Sequence, residues 1–148
     1  MTRKETAAEI TASVAKYYTK RRYCVSTEIG LRSRREGMLR ADILALNMKR
    51  EIIIIEVKSS VADFRADSKY EFYLDYCNKM YIACMPDVAL KIKDSVNKQV
   101  GLMVMEPRPR IIKHARYQDL DDDLRLQILT RLVFRKSDFN RYKKRKNS

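Results

Sequence analysis

The chain has 148 residues and a mass of 17.5 kDa, which is enough for one domain with a single apolar core and too little for two of ordinary size. Hydrophobic residues at 45% beside charged residues at 34% exclude a disordered, collagen-like or fibrous chain, and the longest aliphatic block, Ile52 to Ile55, is far too short to cross a bilayer. A formal charge of +13, from 32 Lys and Arg against 19 Asp and Glu, favours a polyanionic partner, with nucleic acid ahead of an anionic membrane surface.

Residues 3–22 place Ala7, Ala8, Ile10, Val14, Ala15 and Tyr18 at three- and four-residue spacings, predicting an amphipathic first helix that ends in Lys20, Arg21 and Arg22. Three β-prone segments follow, Tyr23 to Leu31, Met38 to Asn47 and Glu51 to Ser59, with a basic loop carrying Arg32, Arg34 and Arg35 between the first two. A second helix is expected from Asp63 to about Asn78, started by Ser60 or Asp63 and buried along Tyr70, Tyr73, Leu74 and Cys77. Lys79 to Ala83 reads as a fourth strand, Pro86 to Lys93 as a short helix, and Val100 to Met105 as a further strand. Ile111 and Ile112 fit an edge strand. Leu124, Ile128, Leu129, Leu132 and Val133 define a last helix, whose first turn accounts for the acidic run from Asp119 to Asp123 better than a metal site does. The expected organisation is one α/β domain over residues 1–140, a mixed central sheet flanked by helices, followed by a basic tail at 141–148. No signal-type apolar segment opens the sequence, so a cytoplasmic protein is expected. Three widely spaced cysteines and the single His114 encode neither a disulfide framework nor a zinc site.

The informative stretch is Arg40 to Ser59, read as an antiparallel hairpin turning at Met48, Lys49 and Arg50. Asn47 then faces Glu51, Leu46 faces Ile52, Leu44 faces Ile54 and, continuing the register, Asp42 faces Glu56. Opposed carboxylates on neighbouring strands repel unless something neutralises them, and a divalent cation would. Strand alternation puts Lys58 on the face of Glu56, while Val57 turns into the other layer. Asp42, Glu56 and Lys58 on one face, at the end of a buried strand, fit metal-dependent phosphodiester cleavage. Hard oxygens hold Mg²⁺, the Val57 carbonyl offers a further ligand, and the lysine offsets developing charge. Arg32, Arg34, Arg35 and Arg40 are candidates for drawing the DNA backbone into the cleft, and Lys69 and Tyr73, four apart on the expected helix, are candidates for touching a phosphate.

Asp42, thirteen intervening residues, then Glu56-Val57-Lys58 resembles the active-site signature of the PD-(D/E)XK nuclease superfamily. More narrowly, Arg40-Ala41-Asp42 through Glu56 to Ser60, with Asp63-Phe64, Asp67-Ser68-Lys69, Tyr73 and Tyr76-Cys77, is similar to the MmcB-type DNA-repair nucleases across about residues 24–106. Ala41 stands where the superfamily's proline would, which removes no ligand; Tyr70 and Asn78 also depart from the narrower pattern. The resemblance implies a restriction-endonuclease-like core, a Mg²⁺ or Mn²⁺ requirement and action on DNA in repair. It also implies an additional upstream acid, for which Glu28 is favoured over Glu9. The expected activity is therefore a Mg²⁺-dependent DNA endonuclease, with no membrane partner and with a homodimer compatible. The alternative is a non-catalytic DNA-binding or structure-recognition module on the same fold.

Overall fold

A computed structural model describes residues 2–33 and 37–137. Helix α1 (Arg3–Lys20) starts in a capping box, Thr2 accepting the Glu5 N–H and Glu5 reaching back to Thr2. Six strands follow: β1 (Cys24–Ser33), β2 (Gly37–Leu46), β3 (Ile52–Val57), β4 (Lys79–Cys84), β5 (Gly101–Met105) and β6 (Pro109–Lys113). They form one sheet in that spatial order, antiparallel at β1–β2, β2–β3 and β5–β6 and parallel at β3–β4 and β4–β5. The mixed sheet flanked by helices is the restriction-endonuclease-like core expected from the sequence.

Every residue of β3 is buried, because both faces of the sheet are covered, and an all-apolar start is what such a strand requires. One face packs on α1 through Ile10, Val14 and Tyr18 against Ile43, Ile53, Ile55 and Met103. The other carries α2 (Val61–Ala66), α3 (Pro86–Ile92) and α4 (Asp122–Lys136), over a larger core that includes Leu44, Ile52, Ile54 and Ile82. The hairpin turn is built as read: Asn47 N–H donates to the Glu51 carbonyl, and the Asn47 side-chain oxygen accepts the Lys49 and Glu51 N–H groups at 3.0 Å each. That fixes the register Leu46↔Ile52, Leu44↔Ile54 and Ile43↔Ile55. The acidic run also behaves as expected, Asp121 capping α4 by accepting the Leu124 N–H.

The expected second helix is not continuous. It is α2, capped by Ser60, then a break at Asp67, then a 3-10 helix over Tyr70–Tyr76. Asp67 leaves helical geometry because its carboxylate serves the Lys58 ammonium and the Lys69 N–H, competing with the helical ladder. Beyond it, Tyr70, Tyr73 and Tyr76 are all buried, a three-residue spacing that lines one face of a helix with three residues per turn.

Candidate functional site

Strand alternation fails at one place, and that place is Asp42. Along β2, Ile43 and Ala45 belong to the α1 side of the sheet, whereas Leu39, Ala41 and Leu44 all belong to the opposite core. The partner strand slips at the same level: Val25 packs on the α1 side, Ile29 and Leu31 on the other. Pairing runs to Thr27↔Ile43 and resumes at Ile29↔Ala41, so Glu28 and Asp42 are opposite each other with the ladder open between them. Glu28 sits at φ 50°, in the left-handed region that an L side chain occupies only at a cost of about 1 kcal/mol.

The open ladder frees the Asp42 backbone and side chain for β3. Asp42 N–H donates to Glu56 Oε1 at 3.1 Å, and Val57 N–H donates to Asp42 Oδ2 at 2.9 Å. Each carboxylate is thus held by the other strand's backbone, which brings the two acids together. Glu56 is only 5% exposed. Burial, and then the adjacent Asp42 carboxylate, push its carboxyl up to about 9. The Val57 side chain turns to the α1 face, as alternation requires.

Lys58, 6% exposed, lies beside the pair. Its ammonium is held by Asp67 Oδ2 at 2.5 Å, and the other oxygen of Asp67 accepts the Lys69 N–H at 2.8 Å. Asp67 is the site residue that sequence reasoning missed as a functional group. Its only local signal is an acid nine residues beyond Lys58, at the end of a short helix. A buried ammonium stripped of its partner is costly, so Asp67→Ala is expected to lower unfolding free energy by about 3 kcal/mol. In a Lys58→Met background the same change should cost under about 1 kcal/mol, as urea denaturation of the four proteins would show. Equal costs in both backgrounds would mean that the ion pair is not what Asp67 contributes.

Arg40, Asp42, Asp67, Lys69 and Tyr73 line a cavity of about 350 Å³ together with Met38 and Leu39. Lys69 and Tyr73 therefore share a cavity with Asp42 and Asp67, although the continuous helix expected to carry them is broken. The Tyr73 hydroxyl donates to the Arg40 carbonyl at 2.7 Å, and its own proton is held more tightly than usual by burial and by the nearby Glu56 and Asp42 carboxyls. Arg32 and Arg40 are exposed on β1 and β2. Arg34, Arg35 and the tail at 141–148 lie outside the described residues. Glu28 is exposed opposite Asp42, and among the described residues no group of three or more His, Cys, Asp and Glu side chains is gathered closely enough to enclose a metal. Glu9 is exposed on α1, the helix on the other side of the sheet from Glu56. Cys24, Cys77 and Cys84 are free thiols. Among the described residues no helix is long and apolar enough to cross a membrane.

Comparison with known proteins bears on the fold and the family. A protein of unknown function from Silicibacter pomeroyi has a similar structure, with a TM-score of 0.78 and 25% identity over 90% of this chain and 87% of that one. No curated protein matches the sequence. Residues 1–142 match the family described as DNA repair protein MmcB-like. With that match spanning nearly the whole chain, and with the acids and lysine of the motif drawn into one corner of the fold, the chain belongs to the MmcB-like DNA-repair family, a family of the PD-(D/E)XK nuclease type.

Proposed function

We propose that the protein is a Mg²⁺- or Mn²⁺-dependent DNA endonuclease acting in repair. The observation that carries this reading is the pairing of a half-buried Asp42 with a buried Glu56 beside an ammonium group. Burial first, and then the adjacent Asp42 carboxylate, disfavour a charged Glu56 in the absence of a cation. Two carboxylates, a candidate third oxygen from Val57 and a substrate phosphate are a donor set that suits Mg²⁺ or Mn²⁺. When bound, such an ion supplies charge neutralisation at the scissile phosphate and lowers the pKa of a coordinated water.

The chain's own groups do the rest. The Asp42 and Val57 N–H groups aim the two carboxyls, so that little reorganisation is needed to receive a cation. Lys58, anchored by Asp67, either positions the attacking water or stabilises the negative charge that builds on the phosphoryl oxygens. Arg40 and Lys69 on the cavity wall hold the flanking backbone, and Tyr73 keeps the Arg40 main chain in place. Glu28 is the candidate additional acid on this reading, at the strained backbone position opposite Asp42.

Incubation of purified protein with plasmid and linear DNA tests the proposal. Strand cleavage is expected with Mg²⁺ or Mn²⁺, and none with EDTA or in Asp42→Ala. Cleavage that persists in Asp42→Ala would assign the activity elsewhere. A second reading, a DNA-holding module without catalysis, draws on the lack of a third metal-binding side chain beside Asp42 and Glu56 among the described residues. It predicts salt-sensitive DNA binding that is indifferent to divalent ions.

A further inference from the structure

Strand β3 stops pairing with β2 at Ile43↔Ile55, but β1 and β2 continue together for five further pairs, from Ile29↔Ala41 to Ser33↔Gly37. A two-stranded arm roughly 13 Å long therefore runs on past Asp42. Its inner face, Ile29, Leu31, Leu39 and Ala41, is sealed into the core with Ile128 and Leu132 of α4. The outer face presents Arg32, Met38 and Arg40.

Gly30 explains how a fourth group joins them. A Cβ there would lie 2.7 Å from the Met38 methyl and 3.1 Å from Arg131 Nη2. The space left by the missing side chain is thus filled by Met38 from across the ladder and by Arg131 reaching round the sheet edge from α4. Arg131 Nε donates to the Gly30 carbonyl at 2.7 Å, which fixes the guanidinium beside the arm. Met38 is 59% exposed in the middle of these cations. Among the described residues none of Arg32, Arg40 and Arg131 has an acidic side chain in ion-pair contact.

We infer that this outer face is a DNA-binding surface that selects duplex whose base stacking is already weakened, with Met38 entering the loosened step while Arg32, Arg40 and Arg131 hold the surrounding phosphates. Cations on a pre-ordered ribbon, with no ion-pair partner among the described residues, are suited to phosphate contact. An exposed, flexible apolar side chain between them matches the wedges by which proteins part base steps. Unstacking an intact step costs a few kcal/mol and a mismatched one less, so such a wedge converts a defect into affinity. Met38 and Arg40 also line the cavity that holds Asp42, so the loosened step would lie next to the proposed site of cleavage. This inference rests on the reading that the Asp42 cavity receives a DNA backbone.

Fluorescence anisotropy in EDTA, where cleavage is suppressed, tests it with a short duplex that is either intact or carries one mismatch beside 2-aminopurine. Wild type is expected to bind the mismatched duplex about tenfold more tightly and to raise 2-aminopurine fluorescence. Met38→Ala should lose both the preference and the fluorescence rise. Arg32→Ala, Arg40→Ala and Arg131→Ala should each lower the salt slope by about one for both duplexes, and Lys98→Ala, an exposed cation ahead of β5, should not. Circular dichroism of each variant checks the fold. Equal affinity of wild type for the two duplexes, or a Met38→Ala protein that still discriminates, overturns the inference and leaves the nuclease proposal standing. Failure of wild type to bind DNA at low salt overturns both.

Discussion

In the metal-free protein, Glu56→Gln is expected to raise the unfolding free energy at pH 8 by about 2–4 kcal/mol while abolishing metal-dependent cleavage. The cause is the proton held on buried Glu56. Glu56 in the folded chain holds its proton up to about 9, whereas the unfolded carboxyl releases it near 4.5. Between those values the native state binds more protons than the unfolded state, so stability is highest below the unfolded value and falls as pH rises toward 9. Glutamine is neutral and nearly the same shape, and it carries no such penalty. Urea denaturation in EDTA from pH 5 to 9 should show a declining midpoint for wild type and a flatter one for the variant. Parallel curves would mean that Glu56 is not the strained group. A carboxyl that is only 5% exposed and that weakens the metal-free fold is a candidate for function rather than packing.

The second large effect is on cleavage itself. Asp42→Ala and Lys58→Met are each expected to reduce the Mg²⁺-dependent rate at least about a hundredfold, Asp42→Ala by a thousandfold or more, with DNA affinity in EDTA within about threefold of wild type. The two losses have different origins. Asp42→Ala removes a carboxylate and also the acceptor of the Val57 N–H, so it should weaken metal binding. Lys58→Met removes only the ammonium, and should leave metal affinity unchanged while lowering kcat. A Lys58→Met protein with wild-type turnover would confine the lysine to neutralising Asp67, with which it forms its ion pair.

Much of the site is legible in the sequence because the hairpin is local. Asn47 sets the turn, the turn sets the register Leu46↔Ile52 and Leu44↔Ile54, and counting outward brings Asp42 to Glu56. Counting also conceals something. A period of two gives no warning of the slip at Glu28 and Asp42, where both strands change faces, yet that slip lets Asp42 offer its N–H to Glu56 instead of to a ladder. The expected helix over residues 63–78 failed for a related reason. Tyrosines three apart look helical at either period, and only the demand of Lys58 for a partner decides that the chain must break at Asp67. That demand is tertiary, since it depends on a loop folding back to the end of β3. The meeting of Met38 with Arg131 over Gly30 is more remote still, joining residues a hundred positions apart by way of a missing side chain.

The central claim is that Asp42 and Glu56 together bind one divalent ion, and calorimetric titration of Mn²⁺ into the purified protein addresses it without requiring turnover. The account predicts a single site in wild type, weakened at least about tenfold in Asp42→Ala and in Glu56→Gln and unchanged in Lys98→Ala. A wild-type protein that takes up no Mn²⁺, or one whose site survives loss of both carboxylates, would contradict it.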